Sequence, residues 1–145
     1  MRGLVAVGVA AVAGLALAAP GAKGPAKKES PIVGQWRLVR ANGERPVGDQ
    51  VESFAADGSC VIRTRHADKE VEERGQYTTN TAASPAEFDY VFDAAEGGNI
   101  KGIYKVDGDT LTICYQTGKG ERPKEFKEVR NVISLFVYER VKPKE

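Results

Sequence analysis

From residue 31 onward, apolar residues recur at every second position in short runs broken by Gly, Asn, Asp and Pro. That is the period of a strand with one face buried. The clearest run is NIKGIYKVDGDTLTICY at 99–115. Asp107-Gly108 can supply the two φ > 0 positions of a type I′ hairpin turn. A two-residue loop there pairs Val106 with Asp109, Tyr104 with Leu111, Gly102 with Ile113 and Ile100 with Tyr115. These residues then share one face, and Lys101, Lys105, Thr110, Thr112 and Cys114 share the other. The hairpin has a core side and a wet side.

The same alternation defines eight extended segments, at 33–41, 51–55, 59–65, 70–79, 87–93, the two arms of the hairpin, and 129–140. A three-residue loop at Ala56-Asp57-Gly58 pairs Phe54 with Cys60. Looping over 66–69 pairs Arg65 with Glu70 and Arg63 with Glu72, opposite charges directly across an exposed sheet face. The other face carries Phe54, Cys60, Ile62, Thr64, Val71, Glu73, Gly75 and Tyr77, and it continues through Phe88, Tyr90 and Phe92. Parity in the last segment is ambiguous, because Phe136 and Tyr138 face one way and Ile133, Leu135 and Val137 the other. An open sheet would leave both edges and this apolar lining exposed, and closure removes both problems. The predicted fold is all-β: a small eight-stranded antiparallel up-and-down barrel with little helix.

Of the 145 residues, those at 31–142 suffice for one domain with a single core. Residues 1–18 have the form of a secretory signal peptide: Arg2, an uncharged Leu/Val/Ala/Gly run, and cleavage after Ala16-Leu17-Ala18. The competing reading is an uncleaved anchor, but the apolar run from Gly3 is 17 residues long, at the short limit for a span, and diluted by Ala and Gly. Residues 19–30 form a flexible Pro/Gly/Lys/Ala-rich linker. The expectation is an exported protein, periplasmic or extracellular, with no integral membrane segment after cleavage. The 21 basic and 20 acidic residues are interspersed, which argues against nucleic acid as a partner.

Two features carry a resemblance. Gly34-Gln35-Trp36 matches the Gly-x-Trp motif that opens lipocalins, and Arg140 ends the last segment where lipocalins often carry an Arg over that Trp. More specifically, GIYKVDGDTLTICY at 102–115 with ERPKEF at 121–126 resembles an uncharacterised lipocalin-like domain abundant in planctomycete bacteria. The resemblance covers about 31–142 and implies a lipocalin-like barrel exported from the cytoplasm. It implies no activity. The domain is shorter than a typical lipocalin and lacks a Thr-Asp-Tyr-type second motif.

Candidate chemistry is sparse. Trp36 with Arg140 is expected to form a barrel-closing cation–π pair. Cys60 faces inward and Cys114 outward, so two free thiols are expected in place of a disulfide. With His66 as the only histidine and no C-x-x-C, neither a metal site nor a cofactor is expected. His66 reads as a solvated loop residue. Glu73 is the one charge assigned to the inner face, and a lone buried carboxylate needs a partner, a wet mouth or a raised pKa. Glu73, Tyr77, Tyr104 and Tyr115 are candidate pocket residues. Arg122 and Phe126 join them from the ERPKEF loop, with Phe126 expected to plug one barrel end.

No catalytic motif is present, so the expected function is non-catalytic: a barrel that binds a small apolar or amphipathic ligand at one mouth. The alternative is an envelope interaction or structural module with a filled barrel and a protein partner. The inner face carries Trp36, Phe54, Tyr77, Phe88, Tyr90, Phe92, Tyr104 and Tyr115. In a barrel of eight strands such a lining leaves room for a small pocket near one mouth at most.

Overall fold

In the computed structural model, which describes residues 30–93, 99–116 and 120–144, the alternating segments pair in chain order and the last returns to the first. The strands are β1 (Gly34–Ala41), β2 (Asp49–Phe54), β3 (Ser59–His66), β4 (Lys69–Asn80), β5 (Glu87–Phe92), β6 (Asn99–Asp107), β7 (Thr110–Gln116) and β8 (Ile133–Arg140). All neighbours are antiparallel and β1–β8 pairing closes the ring. The fold is the all-β, eight-stranded up-and-down barrel that the alternation predicts. The expected signal peptide and nearly all of the expected linker, through residue 29, lie outside the described residues. So do 94–98 between β5 and β6 and 117–119 after β7.

Register follows side-chain chemistry. Phe54 pairs with Cys60, Arg63 with Glu72 and Arg65 with Glu70, as expected. Both charge pairs close at 2.9 Å on the outer wall. A charged outside around an apolar inside is the reverse of a transmembrane barrel. His66 pairs with Lys69, so the β3–β4 turn is the shorter Ala67-Asp68, with Ala67 at φ 53°.

The β6–β7 hairpin departs from expectation by two residues. Asp107 pairs with Thr110, Val106 with Leu111, Tyr104 with Ile113 and Gly102 with Tyr115. The loop is Gly108-Asp109, with φ 59° at Gly108 alone, the type II′ pattern that wants glycine first. A slip of two exchanges partners but preserves parity, so the paired residues keep their expected faces, while Asp109, expected opposite Val106, moves into the exposed turn.

In β1 a bulge between Leu38 and Arg40 resets the pairing from Leu38↔Tyr138 to Arg40↔Val137. Strict alternation after Trp36 and Leu38 would point Arg40 into the core. The extra residue turns it out and brings Ala41 against the core instead. In β8 the ambiguous parity resolves with Phe136 and Tyr138 inside. This strand begins at Ile133, later than expected. Residues 129–132 form a turn in which Val132 and Ile133 both donate to the Val129 carbonyl, with Asn131 at φ 61°.

One end of the barrel is sealed. Ile32, Trp36, Leu38, Phe54 and Leu111 pack there, with Trp36 and Leu111 wholly buried. Trp36 Nε1 donates to the Ile32 carbonyl at 2.7 Å. The Arg140 guanidinium lies 4.2 Å from the indole centroid and donates to the carbonyls of Val33 and Pro31, both at 3.2 Å. Gly34 is required beneath it: φ is 133°, and a Cβ would come within 2.9 Å of Arg140 Nη1.

A second apolar layer lies outside the wall. Ile103 and Cys114 point outward yet are 1% and 0% exposed. Residues 120–128 run back along this wall as a strap, bringing the Glu125 carbonyl within 3.6 Å of Cys114 Sγ. Arg122 clamps the strap, donating to the carbonyls of Gly102 (2.7 Å) and Phe88 (3.2 Å) and pairing with Asp89 at 2.7 Å.

Candidate functional site

The inner faces of β2 to β8 enclose a cavity of about 200 Å³ whose lining includes none of Ile32, Trp36, Leu38, Phe54 and Leu111. Phe88 and Ile113 form part of its floor, and Tyr90, Phe92, Ile100, Tyr115, Phe136 and Tyr138 its walls. The rings support one another: Tyr90 and Phe92 meet edge to face at 4.3 Å, and Tyr115 and Phe136 stack at 5.2 Å. The polar lining is Gln50, Glu52, Thr64 and Glu73.

Glu52 is the centre of this site. Alternation along β2 sends Gln50, Glu52 and Phe54 inward, from the mouth down to the packed floor. Glu52 is 7% exposed. Its Oε1 accepts from Tyr138 Oη at 2.7 Å and from Gln50 Nε2 at 2.9 Å. Burial pushes its pKa up to about 7, against the pull of those two hydrogen bonds, and the charge of Glu73 adds to the rise. The same burial raises Tyr138 well above an ordinary phenol, with the Glu52 charge and hydrogen bond adding to it. Tyr115 is raised to about 12, by burial and then by Glu52 and Glu73. Cys60 beneath is also pushed up to about 12, by burial and then by Glu52.

Of the candidate pocket residues, Glu73 and Tyr115 line the cavity, Glu73 as an exposed side chain at the mouth. Tyr77 and Tyr104 belong to the packed core. Tyr77 Oη donates to the Ala55 carbonyl at 2.6 Å, and the Tyr104 ring lies 6.4 Å from Phe88. Arg122 and Phe126 are outside the wall. Phe126 does not plug the barrel: it packs on the outer face with Lys105 Nζ 5.0 Å from its centroid, because the strap runs along β6 and β7 and not across an end. Trp36 and Arg140 form the expected closing pair. Cys60 and Cys114 are free thiols on opposite faces.

Glu73 is therefore not the sole inward carboxylate. Glu52 lies two residues before Phe54, on the face that the Phe54–Cys60 pairing had already defined as inner, so the signal was present in the sequence. Its partner Tyr138 was hidden by the ambiguous parity of the last strand.

Among the described residues no three His, Cys, Asp or Glu side chains gather as a metal site, and no helix is long and apolar enough to cross a membrane. A groove of about 210 Å³ on the outer wall is lined by Gln35, Asp49, Val51, Arg63, Arg65 and Glu70. Its charges are paired locally, Arg37 with Asp49, Arg63 with Glu72 and Arg65 with Glu70. No protein-family model matches the chain, and no curated protein matches it significantly.

Proposed function

We propose that this chain is an exported, non-catalytic lipocalin-like domain that binds a small apolar or amphipathic molecule in the open half of its barrel. The observation that carries this reading is the cavity of about 200 Å³, walled by aromatic rings with polar groups at Glu52, Gln50, Thr64 and Glu73. Apolar walls with a few convergent polar groups are the usual make-up of a small-molecule site. The volume sets the ligand's size. It corresponds to about seven waters of liquid and falls short of the ~300 Å³ at which drug-sized pockets begin. A molecule of about ten non-hydrogen atoms fits at protein packing density. A non-catalytic role accords with the chemistry of the nearby groups. The Cys60 thiol, pushed up to about 12, is protonated at neutral pH and a poor nucleophile. His66 is exposed on the β3–β4 hairpin. Export and kinship with the planctomycete domain rest on the leader-like first 18 residues, the Gly-x-Trp and Arg140 pair, and the GIYKVDGDTLTICY and ERPKEF motifs.

Native mass spectrometry of the chain purified from its own host tests the reading. The expected spectrum contains a species carrying one small molecule, lost on gentle activation. The second reading, a structural or partner-binding barrel, draws on the solid packing of the Trp36 half. It prevails if only the bare chain flies and no small amphipathic compound raises the melting temperature.

A further inference from the structure

The geometry points to a small organic cation as the occupant of this cavity: a primary ammonium seated on Glu52, with its apolar or aromatic tail among the rings. This rests on the binding reading above and names the ligand's chemistry. Three observations carry it. The first is the unequal use of Glu52. Its Oε1 accepts both Tyr138 and Gln50, whereas Oε2 accepts no hydrogen bond among the described residues. That edge is left to receive a donor from the cavity, and an ammonium supplies donor and charge together.

The second is the sign of the lining. A chain with 21 basic and 20 acidic residues brings two carboxylates, Glu52 and Glu73, to this cavity, and none of its described lining residues is Lys, Arg or His. Glu73 at the mouth would steer a cation inward, and Glu52 would hold it. Anions meet two like charges and no donor cation.

The third is the ring wall. Tyr115 and Phe136 stack beside the carboxylate, with Tyr138 tilted against Phe136 at 6.5 Å. Aromatic faces around a desolvated cation add attraction through their quadrupoles. Alcohols and carboxylates of the same shape forgo that term.

Isothermal titration at pH 8 with three isosteric probes decides the matter: 2-phenylethylamine, 2-phenylethanol and phenylacetate. The amine is expected to bind about 10- to 100-fold more tightly than the alcohol, the worth of one charge-assisted hydrogen bond, and phenylacetate most weakly. Glu52→Gln should bring the amine down to the level of the alcohol, collapsing the affinity ratio between the two to about one. Should Glu52→Gln misfold, Glu73→Gln at the exposed mouth is expected to slow amine association in stopped-flow mixing and to weaken its dependence on ionic strength. Equal affinity for amine and alcohol, or preference for phenylacetate, overturns the cation while leaving a binding barrel in place. Failure of all three probes, together with only bare chain in the native spectrum, removes the binding reading itself.

Discussion

The two halves of this barrel are built from the same strands and filled by opposite rules. Toward Trp36, every inward position is taken up by packing: the indole is wholly buried, its N–H is satisfied by Ile32, and Arg140 closes over it. Toward Gln50, Thr64 and Glu73, the strands carry inward polar residues among the rings, and a cavity results, with Glu52 at the boundary as the cross-strand partner of Trp36. The contrast lies in composition at alternate positions, not in backbone. β2 passes from Gln50 and Glu52 to Phe54 within five residues, and β7 from Leu111 to Ile113 and Tyr115, so both strands belong to both halves. Close packing is concentrated at one end and inward polar side chains at the other.

The largest expected effect lies in the sealed half. Trp36→Ala should lower the unfolding free energy by about 3–5 kcal/mol, since a filled site cannot collapse around the lost ring. Phe136→Ala, beside space that already exists, should lower it by only about 1–2 kcal/mol. Urea denaturation of both variants checks the ratio, and equal losses would erase the distinction between the halves.

Next comes Glu52. Its carboxyl holds a proton more firmly in the folded protein, at about 7, than at its ordinary 4.5. Below pH 4.5 both states are protonated and the group has no effect. Between 4.5 and 7 the folded state holds the extra proton, so stability falls as pH rises, by about 3 kcal/mol in all. Glu52→Gln should flatten that slope, as read from urea midpoints between pH 4.5 and 8.

Smaller still is Arg122→Ala, which removes the two carbonyl contacts and the Asp89 pair holding the strap. About 2 kcal/mol is expected once solvent screening is allowed for, with faster amide exchange confined to residues 120–132 and their contacts. The least is Gly108→Ala. No atom lies within 4 Å of the added methyl, so the loss of about 1 kcal/mol is purely conformational and should appear as a small shift in melting temperature.

What the sequence reveals is parity. Alternation assigns Phe54, Tyr90, Tyr104 and Tyr115 to the inner face, and the Arg63–Glu72 and Arg65–Glu70 pairs fix the β3–β4 register. Parity is blind to a shift of two, which is why the β6–β7 partners differ from expectation while the paired residues keep their faces. It also cannot see a loop that returns over the outer wall. Cys114 and Ile103 alternate outward like Lys101 and Lys105, and only the strap makes them buried. Glu52 was legible from Phe54. Residues two apart on a strand share a face, so Phe54 inside places Glu52 inside as well.

The two thiols are sealed by different barriers. Reaching Cys60 requires the barrel wall itself to part, whereas reaching Cys114 requires only that Arg122 let go and the segment over it lift. A slow alkylating reagent would therefore keep two clocks in a single chain, one running on global opening and one on a local latch.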